Sequence, residues 1–269
     1  MVSDPISSFV EVAGGRIEYA EHPAAARGLP ELLLLHEGLG SVSMWRDFPE
    51  RLALATGARV ISYSRLGFGR SATRTLPYTP RFMHEEAHET IPALRRALAV
   101  ARPVLVGHST GASMGLLHAA HDPEGVAGVV AMAPLIDVEG GNIDSIRDAR
   151  RVYEDTDWRS KLARHHDHPV DAVFSSWSDT WLDPAFRAWT IAPDLAAIRC
   201  PILAILGVDD PYSTPAQLRA MAAASIAAST VELMQIPRCG HAPHRERPEL
   251  VVPAIARFVR TSARTQAPP

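Results

Sequence analysis

A chain of 269 residues, 46% of them hydrophobic, is long enough to bury a large core and suits one α/β domain with an insertion. Its 27 Lys and Arg against 30 Asp and Glu leave a net charge of −3 and no long basic run, which argues against nucleic acid or an anionic membrane surface as partner. The strongest apolar stretch, Leu32-Leu33-Leu34-Leu35, is too short to span a bilayer.

Residues 1–5 show neither the basic part nor the apolar core of a signal peptide. Only two cysteines occur, Cys200 and Cys239, so no disulfide framework is indicated and a cytoplasmic setting is expected. Both read as small buried hydrophobes. Nothing in the sequence marks an oligomer interface.

In chain order, residues 9–21 predict an antiparallel hairpin turning at Gly14-Gly15. Short apolar runs at 31–36, 59–64, 103–107, 128–133, 202–207 and 231–236 predict strands, several without alternation, as parallel strands covered on both faces require. Helical patterns lie between them, around 42–55, 80–100, 109–121, 215–228 and 248–261. Residues 261–269 are expected to fray. Strand–helix alternation implies right-handed crossovers and an open, mostly parallel, doubly wound α/β sheet.

Residues 136–195 break this alternation and contain no convincing strand. They carry Trp158, Trp177, Trp181 and Trp189, four of the five tryptophans. The segment reads as a helical insertion in a core made of residues 1–135 and 196–269, long enough to cover the sheet's carboxyl edge. Trp177 and Trp181, four apart, share a helix face, either as an apolar wall for a substrate or as packing onto the core. Within it, Arg164-His165-His166-Asp167-His168 reads as a solvated polar stretch rather than a metal site, since one short run rarely supplies three tetrahedral ligands. Glu85-Glu86, with His84 and His88, likewise reads as an exposed helix face.

The most informative stretch is Gly107-His108-Ser109-Thr110-Gly111. A short apolar strand precedes it and small unbranched residues follow, so G-x-S-x-G falls in a strand–turn–helix context. Such a turn strains the serine backbone and needs glycine two residues to either side. It sets the Ser109 hydroxyl at the sheet's carboxyl edge, with the Thr110 N–H and the helix N-terminus facing developing negative charge.

A serine nucleophile needs a base, and the base an orienting carboxylate. His241, in Cys239-Gly240-His241-Ala242-Pro243 directly after the last predicted strand, is the candidate base, with His244 its local competitor. The carboxylate should follow the preceding strand, where Asp209 and Asp210 are adjacent. Asp210 fits better by its distance from the strand-ending Gly207; either could instead serve only its turn.

With these motifs the chain resembles the alpha/beta-hydrolase fold enzymes over nearly its whole length. Ser109, Asp210 and His241 follow that family's order of nucleophile, acid and histidine. The run from Leu33 through His36-Glu37-Gly38-Leu39-Gly40-Ser41 resembles the family's oxyanion strand and loop. The run Tyr63-Ser64-Arg65-Leu66-Gly67-Phe68-Gly69-Arg70-Ser71 resembles the turn after its next strand. The resemblance implies that residues 136–195 are a lid and that a backbone N–H from the first loop joins that of Thr110 in an oxyanion hole. The family's usual His-Gly is here His36-Glu37-Gly38. Gly38 is therefore the donor if Glu37 replaces the glycine, and Leu39 if Glu37 is inserted.

An ionised Glu37 aimed at the oxyanion would oppose its charge, so its carboxylate is expected to point away, toward an arginine or toward a polar substrate group. His108 completes the polar residues expected beside the substrate. The expected activity is hydrolysis of a small or medium carboxylic ester through an acyl-enzyme, needing no metal or organic cofactor. Lactone, amide or carbon–carbon bond hydrolysis would use the same triad, and a non-catalytic small-molecule binding protein is the alternative of another class.

Overall fold

The computed structural model describes residues 7–26, 28–74 and 78–264. The leader reading of residues 1–5 and the fraying of residues 265–269 lie outside the described residues.

The strands are β1 (Ser8–Val12), β2 (Gly15–His22), β3 (Leu32–Leu35), β4 (Val60–Tyr63), β5 (Val104–His108), β6 (Gly128–Met132), β7 (Ile202–Gly207) and β8 (Val231–Ile236). They form one sheet in the order β1-β2-β4-β3-β5-β6-β7-β8. The hairpin β1–β2 is antiparallel and β2 joins β4 antiparallel; β3 to β8 pair in parallel. Every residue of β3 to β7 is buried, which explains why these runs lack polar alternation.

Successive side chains point to opposite faces. Leu33 and Leu35 enter the core on one side of the sheet, Leu32 and Leu34 the core on the other. Burying each such leucine contributes roughly 1.5–3 kcal/mol, so the strand both faces depend on is the one that carries the loop before Ser41.

The helices are α1 (Phe48–Thr56), α2 (Phe82–Glu85), α3 (Ile91–Ala97), α4 (Thr110–His121), α5 (Gly140–Asp155), α6 (Trp158–Ala163), α7 (Val170–Leu182), α8 (Pro215–Ala224), α9 (Pro243–Glu246) and α10 (Pro248–Arg264). Residues of α1 and α10 fill one core, and those of α2, α3, α4 and α8 the other.

Several boundaries differ from the sequence reading for local reasons. Val12 pairs with Gly15, so the hairpin turns at Ala13-Gly14 rather than Gly14-Gly15, with Gly14 at φ +104°. The helix expected over 80–100 is broken by a π-helical turn, Glu86–Thr90; Pro92 lacks the N–H that would continue an α-helical ladder there. Helix α10 runs on to Arg264, past the expected end at 261.

Residues 136–195 contain three α-helices, α5, α6 and α7, a short 3₁₀ helix at Pro184–Ala188 and no strand; Asp137 and Thr190 form only an isolated bridge. Tyr153, Leu162, Val170, Val173 and Phe174 of this insertion bury against Leu39 and Phe68, from the loops after β3 and β4. The histidine run, expected to be solvated, makes the polar part of this contact. His166 is buried; its Nδ1 accepts from the Gly69 N–H at 2.8 Å and its Nε2 donates to the Leu39 carbonyl at 3.0 Å. His165 reaches the Ser43 hydroxyl and His168 the Ser71 carbonyl. Chain separation hid this role, because each partner lies about a hundred residues away.

Glu86 is also not on an exposed face. It is buried and accepts from the Tyr63 hydroxyl at 2.6 Å, and burial raises its carboxyl pKa. Cys200 and Cys239 are buried and unpaired, as expected, and burial pushes their thiols up to about 12 and about 11.

Candidate active site

Ser109 lies between β5 and α4 with φ 53° and ψ −122°, a conformation that costs of order 1–3 kcal/mol in a non-glycine residue. The surroundings impose it. The Ser109 N–H donates to the Met132 carbonyl at 2.8 Å, while its carbonyl accepts from Ala112 and Ser113 in α4. A Cβ on Gly107 would lie 2.4 Å from Ala112 Cα, and one on Gly111 would lie 2.0 Å from the Leu35 carbonyl oxygen. Strand and helix therefore approach too closely for any residue but glycine at either position.

His241 stands in the loop between β8 and α9. Its Nδ1 lies 2.9 Å from each carboxylate oxygen of Asp210. The Asp210 side chain is fully buried and its Oδ1 also accepts from the N–H groups of Tyr212 and Ser213. With Nδ1–H committed to the carboxylate, the His241 Nε2 is the lone-pair nitrogen. Among the described residues no hydrogen bond or ion pair joins the neighbouring Asp209 to His241; its backbone N–H closes the loop onto the Cys239 carbonyl. His244 is buried between Trp45, Phe48 and His108, with ring centroids 4.7–5.1 Å away. Burial holds its imidazole well below the usual range.

Ser109 and His241 line one cavity of about 240 Å³ together with Glu37, Gly38, His108, Trp177 and Trp181. Both tryptophans on the shared face of α7 thus reach the cavity. Trp189 instead packs against Phe186 and Trp181. The Gly38 N–H donates to no group among the described residues, and Thr110 opens α4, where backbone N–H groups lack intrahelical acceptors. A Cβ on Gly38 would meet the Trp177 indole at 2.3 Å, so the insertion closes directly onto this loop.

Among the described residues Glu37 pairs with no arginine. Its Oε2 is 3.6 Å from His108 Nδ1. Burial alone would raise its carboxyl pKa, but the His108 side chain beside it more than offsets that and holds it well below the ordinary range. The arginine in the region, Arg65, grips the loop's backbone instead. Its guanidinium donates to the carbonyls of His36, Glu37 and Gly38 at 2.7, 2.9 and 3.2 Å.

Sequence reasoning missed Arg65, which lay inside the second quoted motif but had no partner visible nearby. It also missed Arg245, Trp158 and Tyr212 in the cavity wall. Only their positions after strands, or in the tryptophan-rich insertion, hinted at them.

The alpha/beta hydrolase family matches residues 32–254, and the chain belongs to that family. Among curated relatives, 2-succinyl-6-hydroxy-2,4-cyclohexadiene-1-carboxylate synthase of Escherichia coli O1:K1 / APEC is 26% identical over 281 residues, covering 91% of this chain and 99% of that protein. A proline iminopeptidase of Levilactobacillus brevis is 34% identical over 108 residues. That match covers 40% of this chain and spans only 36% of the relative's length. Among solved structures, the enol-lactonase from Burkholderia xenovorans LB400 superposes with a TM-score of 0.74 at 21% identity, covering 94% of this chain and all of that one. The structural likeness shows the hydrolase fold, and the family match supports hydrolase activity.

Proposed function

We propose that the protein is a serine hydrolase that cleaves a small or medium carboxylic ester through an acyl-enzyme. The observation that carries this reading is the His241 ring held by both oxygens of buried Asp210, in one cavity with Ser109 on its strained turn. Neutral His241 takes the Ser109 proton through Nε2 as Oγ attacks the carbonyl carbon. Asp210 keeps the ring in the Nδ1–H tautomer and stabilises the imidazolium. The N–H groups of Thr110 and Gly38 receive the oxyanion, each such donor being worth about 3 kcal/mol of transition-state stabilisation.

His241 then gives its proton to the leaving alcohol, and a water deprotonated by the same ring releases the acid. Residues 136–195 serve as the lid, and the indoles of Trp158, Trp177 and Trp181 offer an apolar surface to the acyl or aryl part of the substrate. Turnover of a chain-length series of aryl esters tests this. The expected result is measurable kcat/KM for short and medium chains in the wild type and its loss in Ser109→Ala. Undiminished turnover in Ser109→Ala would refute the assignment.

A further inference from the structure

Two polar groups in the cavity are not used by this chemistry. The Glu37 carboxylate lines the cavity with only 25% of its side chain exposed, and its ion-pair partner, His108 Nδ1, stands 3.6 Å from Oε2. His108 is 4% exposed; its Nε2 donates to the His241 carbonyl at 2.7 Å and its Nδ1 has no hydrogen-bond partner among the described residues. A carboxylate oxygen and a ring nitrogen thus face each other across 3.6 Å, too far for a direct hydrogen bond. The His108 side chain more than offsets the burial that would otherwise raise the carboxyl pKa and leaves the group ionised, so a charged acceptor lines the cavity. Buried acceptors are normally satisfied, and the cavity is where a satisfying group would arrive.

We infer that Glu37 and His108 form a subsite that receives a hydrogen-bond donor of the substrate, a hydroxyl or an ammonium group, beside the scissile ester. This rests on the ester-hydrolase reading and deepens it. Much of the remaining lining is aromatic and aliphatic, with Leu135, Ile146, Trp158 and Trp177, and among the lining residues Glu37 alone carries a carboxylate, so a donor group gains its strongest partner there. An apolar group placed there instead leaves the carboxylate dry and unpaired. Rejection of the isostere lacking the donor is therefore the strong effect, because a site's own buried polar groups are then left without partners. An ammonium gains further from the carboxylate charge and from the indole faces, whereas a hydroxyl needs only the acceptor.

Matched ester sets test the subsite on each side of the scissile bond. On the acyl side they are 3-methylbutanoyl, 3-hydroxybutanoyl and 3-aminobutanoyl esters; on the alcohol side, propyl, 2-hydroxyethyl and 2-aminoethyl esters. The wild type is expected to prefer a donor-bearing ester over its methyl isostere by about tenfold or more in kcat/KM on one side, and Glu37→Leu to abolish that preference. Glu37→Gln keeps an acceptor without charge, so it retains a hydroxyl preference and loses an ammonium preference, which separates the two donors. The inference is overturned if no isostere pair differs by more than about twofold in the wild type, or if Glu37→Leu scales all esters equally. Calorimetric titration of the same esters into Ser109→Ala gives the preference as a ratio of Kd values. It reads the subsite without turnover and so separates its failure from failure of the hydrolase reading.

Discussion

Arg65 and His36 hold one another twice. The Arg65 backbone N–H donates to His36 Nε2 at 3.0 Å, and the Arg65 guanidinium donates to the His36 carbonyl at 2.7 Å. His36 in turn donates from Nδ1 to the Glu37 carbonyl at 2.7 Å, and burial first, then the guanidinium, keep its ring neutral. Arg65 forms no ion pair among the described residues; three loop carbonyls take its hydrogen bonds. Drawing those carbonyls toward the guanidinium fixes the loop that presents the Gly38 N–H.

Arg65→Met should therefore lower kcat by about ten- to a hundredfold with a smaller change in KM, because an oxyanion donor acts chiefly in the transition state. Steady-state kinetics on a folded variant checks this. A rise in KM at unchanged kcat would place Arg65 in substrate binding instead.

Asp210→Asn should cost about 10³–10⁴ in kcat, since the amide cannot stabilise the imidazolium and favours the wrong tautomer. Asp209→Asn, whose structural tie is a backbone N–H to the Cys239 carbonyl, should retain most activity. Kinetics on both variants, with folding confirmed by near-UV circular dichroism, checks the pair. Equal losses would remove the distinction between the two carboxylates.

His241→Ala should abolish turnover. His244→Ala should keep most of it, and lose stability by about 2 kcal/mol or more through the cavity left between Trp45 and Phe48. Urea unfolding and kinetics together check the contrast. Full activity in His241→Ala would overturn the base assignment.

Acid should destabilise the fold well above the carboxylate range. Burial pushes the imidazoles of His118 and His166 down to about 4 from the ordinary 6.5, and holds those of His36 and His244 well below it too. Because folded values lie below unfolded ones, the unfolded chain binds these protons first. Stability is complete above about pH 6.5 and is lost as the pH falls toward 4. Each of His118 and His166 should cost about 2 kcal/mol by pH 5. Urea midpoints at pH 7.5 and pH 5 check the sign, and His118→Gln should flatten the dependence. Stability that rises on acidification would contradict it.

The parallel core was legible in the sequence because β3 to β7 are buried on both faces, so their residues are apolar throughout. Ser109 was legible because Gly107 and Gly111 are dictated by backbone approach within five residues. His241 and Asp210 could be placed because strand ends point their following loops at one edge of the sheet. What stayed hidden depends on contacts between distant segments. The tie of His166 to Gly69 and Leu39, the burial of Glu86 under Tyr63, and the grip of Arg65 on residues 36–38 leave no local pattern. Glu37 illustrates the limit: its sequence position suggested an arginine partner, and the arginine took its carbonyl while the carboxylate turned to His108.

The most direct test of the central claim is the intact mass of the protein after exposure to a fluorophosphonate, with the adduct mapped by peptide sequencing. A single adduct on Ser109 is expected, absent in Ser109→Ala and strongly slowed in His241→Ala. An adduct that persists in Ser109→Ala, or none in a folded wild type that turns over esters, would contradict it.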